Sequence, residues 1–254
     1  MTELVQVTDT DGIRTIRINR PEKKNALLSE MYTVISDAIG RAQKDATRVL
    51  LLTGTGDAFT AGNDLHDFLN NVREGAASGA SSFLQSLAGN EVATIAAVNG
   101  LAVGIGTTML LHCDFVYAGE GARFHLPFIN LALVPEASSS LLLPRLAGYP
   151  KAAELLMLGE PFGPETAVEI GLASAVVPDA ELIDRAMETA RKLAAKPPAA
   201  LRATRRLMRR PAEPMLDRMN AEGEAFAAQL QSPEAREAMM AILEKRPPDF
   251  SKVA

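Results

Sequence analysis

At 254 residues, with 47% hydrophobic and 22% charged side chains, the chain has the balance of a globular protein and enough apolar material for a continuous core. Its net charge of −5 argues against a general polyanion binder, because affinity for nucleic acid rests on neutralising phosphates with Lys and Arg. The single cysteine, Cys113, excludes an internal disulfide framework and fits a reducing compartment, with a buried, inert thiol as its simplest role.

The opening stretch MTELVQVTDTDG has neither a basic n-region nor an apolar core, so no signal peptide is expected. Residues 4–7 and 13–18 alternate apolar and polar positions around TDTDG and predict a β-hairpin. In SEMYTVISDAIGRAQKD, Ser29 is the expected N-cap, and Tyr32, Ile35, Ala38, Ile39 and Ala42 form the buried stripe of an amphipathic helix. Short apolar runs at 48–54, 94–98 and 113–119 predict buried strands, and NGLAVGIGTTMLLH reads as a glycine-lined turn entering a helix. Strands alternating with helices predict an α/β core. REGAASGASS, residues 73–82, is small and polar and reads as a mobile surface loop.

Beyond about residue 179 the strand signals stop. KPP at 196–198 and RRPAEP at 209–214 each break a helix, and two further helices run to EKRPPDF. The expected division is an α/β core over 1–195 and a helical region over 196–254, with no internal sequence repeat at a fixed period. No apolar run reaches the roughly 18 to 20 residues of a membrane span, and the terminal SKVA is not the Ser-Lys-Leu peroxisomal address. A cytoplasmic protein without nucleic-acid or membrane contact is the expectation.

The motifs that would announce a cofactor fail. GIGTTM begins like a dinucleotide fingerprint, but Met109 stands at the third glycine's position, and there is no G-K-[ST] phosphate loop. His66, His112 and His125 are not spaced as metal ligands, with each other or with cysteine, so neither a metal nor a bound cofactor is expected.

Two candidates for chemistry stand together in ALVPEASSSL, residues 132–141. The serines lack a G-x-S-x-G elbow and suit the first turns of a helix. Glu136, after a proline that fits the first helical position, suits the positive end of a helix dipole. Two glycine turns alter that weighting. FTAGNDL (59–65) follows the strand at 48–54, and NGLAVGIG (99–106) follows the strand at 94–98. Each can leave a backbone N–H free near a helix start, and two such donors converging on one point would form an oxyanion hole beside one acid.

These separated motifs, in this order, resemble the crotonase (enoyl-CoA hydratase/isomerase) superfamily over nearly the whole chain: NRPEKKNAL at 19–27, FTAGNDL at 59–65, IAAVNGLAVGIG at 95–106, CDFVYAG at 113–119 and EKRPPDFSK at 244–252. The resemblance implies a spiral of β-β-α units with a C-terminal helical region that builds trimers, often paired into hexamers. It implies an acyl-CoA thioester substrate, with coenzyme A arriving as part of that substrate. The oxyanion amides would be those of Asn63 and Ile105. Ala61, Gly62, Asn63, Asp64 and Leu65, with Gly104 and Ile105, would hold the CoA thioester.

Within the superfamily, hydratases carry two glutamates. This chain has Thr108 at the first position and Phe128, in RFHLPF, at the second. AGND, AVGI, FHLPF and above all PEASSS resemble instead the 3-enoyl-CoA to 2-enoyl-CoA isomerase branch, in which the glutamate after the proline is the catalytic base. The resemblance therefore assigns Glu136 as base and the serines as its scaffold. Leu131, Leu133 and Val134 suggest a poorly solvated site that raises the carboxyl pKa. Another crotonase-type reaction, such as hydration or thioester hydrolysis, and a non-catalytic acyl-CoA-binding scaffold are the competing readings. In RATRRLMRR, Arg202, Arg205, Arg206 and Arg209 share one helical face, first as a solvated face or subunit contact, next as a CoA-phosphate contact. RNA is least favoured, since the helix lacks stacking aromatics.

Overall fold

In the computed structural model, which describes residues 3–74 and 79–250, the predicted hairpin forms from β1 (Val5–Thr10) and β2 (Ile13–Ile18). It turns at Asp11 and Gly12, both at positive φ, where glycine is unstrained. Then α1 (Ser29–Ala42) buries Tyr32, Ile35, Ala38, Ile39 and Ala42, the expected stripe. Ser29 is not its N-cap. It is the first helical residue, Leu28 holds the cap position, and the Ser29 N–H and hydroxyl both donate to Asp67 Oδ2, at 3.1 and 2.8 Å.

Strand β3 (Val49–Gly54) is buried along its whole length, as a strand covered on both faces must be. A three-residue strand, β4 (Ala58–Thr60), leads to α2 (Leu65–Glu74). Residues 75–78 of the expected loop lie outside the described residues. From Gly79 the chain is already α3 (Gly79–Ala88), which corrects the loop expectation for 79–82. Phe83 and Leu87, one turn apart, are buried, and Phe83 lies with Tyr32 of α1 at a ring-centroid distance of 5.4 Å. Packing of two apolar anchors outweighs the small, polar composition of the helix start.

The pattern then repeats. Fully buried β5 (Ala93–Val98) is followed by short β6 (Leu101–Val103) and the one-turn helix α4 (Ile105–Thr108), continued by a 3₁₀ turn over Met109–His112. After β7 (Phe115–Gly119) comes short β8 (Arg123–His125). Next are α5 (Ser139–Ala147), α6 (Tyr149–Ala153), α7 (Pro164–Glu169), β9 (Ala175–Val177) and α8 (Leu182–Ala194).

The longer strands and the three-residue β9 at its edge make one sheet in the order β1-β2-β3-β5-β7-β9, parallel apart from the hairpin, and the other short strands make a second, β4-β6-β8, parallel throughout. Long strand, short strand and helix therefore recur as a unit, as in the β-β-α units that the resemblance implies. Phe59 and Phe124, both fully buried, anchor the small sheet in the core; burying a side chain of that size contributes about 1.5–3 kcal/mol.

The chain divides into two compact units, Met1–Ala190 and Arg191–Ala254. The second contains α9 (Pro198–Met208), α10 (Met215–Leu230) and α11 (Pro233–Leu243), with Ser232 Oγ accepting from Ala235 N–H at 3.1 Å as the α11 N-cap. Met215, Met219, Phe226, Leu230 and Ile242 of this unit are exposed. The arginine stripe of α9 is not uniformly solvated: Arg205 is buried, while Arg206 and Arg209 are exposed. Among the described residues no helix is long and apolar enough to cross a membrane.

Candidate active site

Pairing of the two short strands explains how the glycine turns meet. Ala58 of β4 lies opposite Leu101 of β6, and Thr60 opposite Ala102, so the turns leaving the strands emerge side by side. The packing leaves no room for a side chain at Gly62: with φ at +86°, an added Cβ would lie 2.7 Å from Val103 O. At Gly106, a Cβ would lie 2.6 Å from Thr60 Cγ2. Gly104 has space around it, and its backbone is what demands glycine, with φ 55° and ψ −117°.

Around each turn several neighbouring N–H groups are consumed. Gly62 N–H donates to Thr60 Oγ1 and Asp64 N–H to Leu27 O. Gly104 N–H donates to His125 O, and those of Thr107 and Thr108 to Gly104 O. The N–H groups of Asn63 and Ile105 take no acceptor among the described residues, and both residues line a cavity of about 590 Å³. Glu136 lines the same cavity, as do Phe68, Leu84, His112, Phe128, Leu133 and Val134. Glu136 is the one carboxylate among those lining residues.

The carboxylate is held in two different states. One oxygen, Oε1, accepts a hydrogen bond from the Thr108 hydroxyl, while Oε2 is buried without a hydrogen-bond partner among the described residues. Burial pushes the carboxyl above the usual glutamate range, and the Thr108 bond opposes that rise.

Glu136 does not start a helix. The next two residues, Ala137 and Ser138, both have positive φ, at 53° and 57°, and α5 begins only at Ser139. That corrects both the placement of Pro135 at a first helical position and the dipole role for Glu136. Non-glycine residues in this region are strained, and such strain gathers where a side chain must be aimed. Fixed contacts maintain the turn: Ser139 donates to Glu136 O from its N–H at 2.9 Å and its hydroxyl at 2.6 Å, and His112 Nε2 meets Ala137 O at 2.9 Å.

The expected apolar surround differs in detail. Leu131, Leu133 and Val134 are all exposed in this chain, and only the latter two line the cavity. Closer cover comes from buried Phe128, Thr108 and Tyr32. Burial, then the negative charges of Glu136 and Asp67, push the Tyr32 phenol well up, so it stays protonated and donates to Asn63 Oδ1 at 2.5 Å.

Of the residues expected to hold the thioester, Asn63 and Ile105 line the cavity, while Ala61, Gly62, Asp64 and Gly104 lie in the flanking turns and Leu65 begins α2. Asp64 is committed elsewhere: Arg20 donates to Oδ2 at 2.8 Å, and His66 and Asp67 N–H donate to Oδ1, so the carboxylate caps α2 and its pKa is held below the usual range, chiefly by Arg20. Leu65 is exposed. Among the described residues no group of three His, Cys, Asp or Glu side chains is placed to hold a metal.

The sequence does not show Tyr32 and His112 as partners of the site, nor that the Thr108 hydroxyl meets the Glu136 carboxylate, while Ser139 bears out the serines as the scaffold of Glu136. Tyr32 reads there only as part of an apolar stripe, and His112 only as a metal ligand without companions.

The enoyl-CoA hydratase/isomerase family model matches residues 8–253. Human enoyl-CoA delta isomerase 2 is 37% identical over 227 residues, covering 87% of this chain and 58% of that protein, so the chain spans less than two thirds of this relative. The 1,2-epoxyphenylacetyl-CoA isomerase of Escherichia coli K12 is 34% identical over 250 residues, covering 94% of this chain and 95% of the relative. A solved structure from Magnetospirillum magneticum AMB-1, described as an enoyl-CoA hydratase/carnithine racemase, has a TM-score of 0.94 at 49% identity and covers 99% of this chain and 100% of its own. The match takes in both glycine turns, Glu136 and the helical tail, and the chain belongs to the enoyl-CoA hydratase/isomerase (crotonase) family.

Proposed function

We propose that the protein isomerises 3-enoyl-CoA thioesters to trans-2-enoyl-CoA, with Glu136 as the single acid–base group. The observation that carries this reading is Glu136 Oε2, buried and unpartnered in the cavity that Asn63 and Ile105 also line. In this mechanism the thioester oxygen accepts the Asn63 and Ile105 N–H groups. Glu136 removes a proton from C2, the C2–H electron pair joins the double bond in a dienolate, and the acid returns a proton to C4. The protein is neither oxidised nor reduced, and a proton taken is a proton returned. A carboxyl pushed up by burial is a stronger base than one in water and gives its proton back less readily to solvent.

Hydration is the less favoured reading. Activating water while protonating carbon calls for a second acid–base group, and Thr108 and Phe128 stand where the resemblance would put two glutamates. We further assign the exposed apolar residues of the second unit to contacts between copies, in the trimer that the resemblance implies; sedimentation as a folded monomer at micromolar concentration counts against that.

The test of function compares wild type with Glu136→Gln on 3-hexenoyl-CoA and crotonyl-CoA. Isomerisation of the first falls by orders of magnitude in the variant while acyl-CoA binding persists, the behaviour of a group needed in the transition state. Hydration of crotonyl-CoA is slow in both. A glutamine variant that isomerises normally, or wild-type hydration as fast as isomerisation, defeats the proposal.

A further inference from the structure

We propose that Thr108 is a positioning residue that divides the work of the two Glu136 oxygens, reserving Oε2 as the atom that takes and returns the proton. This inference rests on the isomerase reading above. Its starting point is an asymmetry: the Thr108 hydroxyl, fully buried, donates to Oε1, whereas Oε2 has no partner among the described residues.

A threonine in a helix usually turns its hydroxyl back to the carbonyl one turn earlier. Here that carbonyl, Gly104 O, already accepts the N–H groups of Thr107 and Thr108. The hydroxyl turns to the carboxylate instead. As a hydroxyl has a single proton to give, Oε1 is the acceptor in that bond, and an incoming proton goes to Oε2. The step balances simply: the C2–H bond breaks as Oε2–H forms, then Oε2–H breaks as C4–H forms, with Oε1 an acceptor throughout.

Placement of Thr108 adds a second reason. It ends the same one-turn helix, Ile105–Thr108, that starts with the Ile105 N–H, which has no acceptor among the described residues. That turn is tied down in its middle, where the Thr107 hydroxyl donates to Ala102 O of β6 at 2.6 Å. One rigid turn therefore sets the distance between the donor for the thioester oxygen and the group that orients the base. The Thr108 bond also favours the ionised carboxylate, so its loss moves the carboxyl further up.

Thr108→Val and Thr108→Ser, read by steady-state isomerisation of 3-hexenoyl-CoA across pH, test this. The valine variant is expected to lose about 10- to 100-fold in kcat, the worth of a hydrogen bond to a charged group, with KM little changed. The acidic limb of its kcat profile is expected at higher pH than in wild type. The serine variant, which restores the hydroxyl, should recover both rate and limb. Should valine prevent folding, Thr108→Ala is read on the same profile. A wild-type acidic limb in the variant lacking the hydroxyl, or no recovery with serine, overturns the inference while leaving the isomerase reading intact. A Glu136→Gln variant that retains wild-type isomerisation overturns both.

Discussion

Replacing Gly62 by alanine adds one methyl group at a point where the chain has neither the conformation nor the space for it. An L residue at φ +86° costs about 1–2 kcal/mol. The added Cβ would also meet Val103 O at 2.7 Å, a backbone atom of β6 where it pairs with β8, which no side-chain rotation can move aside. Overpacking of this kind costs about 1–3 kcal/mol, so the total loss is about 2–5 kcal/mol, or a fall in Tm of roughly 4–20 °C at the sensitivity of a domain this size. Relief requires a shift of several tenths of an ångström in the turn that carries the Asn63 N–H. Misplacing such a donor on that scale is expected to lower isomerisation by about 100-fold. Differential scanning calorimetry and the 3-hexenoyl-CoA assay read the two effects separately. Gly40 supplies the internal contrast: it lies inside α1, where an added methyl would meet nothing within 4 Å, so Gly40→Ala should stabilise by about 0.5–1 kcal/mol and leave the rate alone. A Gly62→Ala protein that melts and turns over like wild type would refute the packing account of the two turns.

Three further outcomes can be checked. Glu136→Gln should melt above wild type at neutral pH: a carboxyl whose folded pKa is raised stabilises the fold only while protonated, so that contribution is complete below the unfolded carboxylate pKa and lost as pH rises through the folded one. The difference in Tm between the two proteins should therefore shrink on acidification below the ordinary carboxylate range, and an advantage unchanged at acidic pH contradicts the sign. Ser139→Ala, which removes the buried hydroxyl from Glu136 O, should destabilise by about 1 kcal/mol and slow isomerisation, while Ser140→Ala, on an exposed residue, should stay within about 0.5 kcal/mol of wild type in denaturant unfolding. Tyr32→Phe should cost about 0.5–1.5 kcal/mol through the lost bond to Asn63 Oδ1, and unchanged stability with unchanged kcat would detach Tyr32 from the site.

What can be read from the sequence is whatever has a long enough period. The wholly apolar runs that became β3 and β5, the hairpin around Asp11 and Gly12, and the proline breaks before α9 and α10 all declare themselves locally. The three-residue strands β4, β6 and β8 do not, being too short to show alternation, yet they bring the two glycine turns together. Asn63, Ile105 and Glu136 are legible as residues, and the cavity they share adds their proximity. Their supports are hidden for different reasons. Thr108 meets Glu136 across 28 positions of sequence, a pairing that no local pattern encodes. Ala137 and Ser138 adopt left-handed backbone that neither residue type advertises, so the sequence pattern puts the start of α5 too early. Arg205 sits in a regular stripe of charge, and burial of one member of such a stripe leaves no trace in the spacing.

The unpaired N–H groups of Asn63 and Ile105 belong to the main chain, and this divides the site into parts of unequal genetic exposure. A single-base change can delete the Glu136 carboxylate outright, whereas no coding change to a residue other than proline removes an amide hydrogen at either turn. On the proposed mechanism, the donors for a thioester oxygen are thus inherited with the fold, beside a Gly62 whose surroundings leave no room for a side chain. The proposed proton-handling group is inherited separately, one codon at a time. A lineage built on this chain can lose, move or double its acids while still polarising the same bond, so its descendants should differ in the fate of the carbon skeleton more readily than in the thioester they recognise.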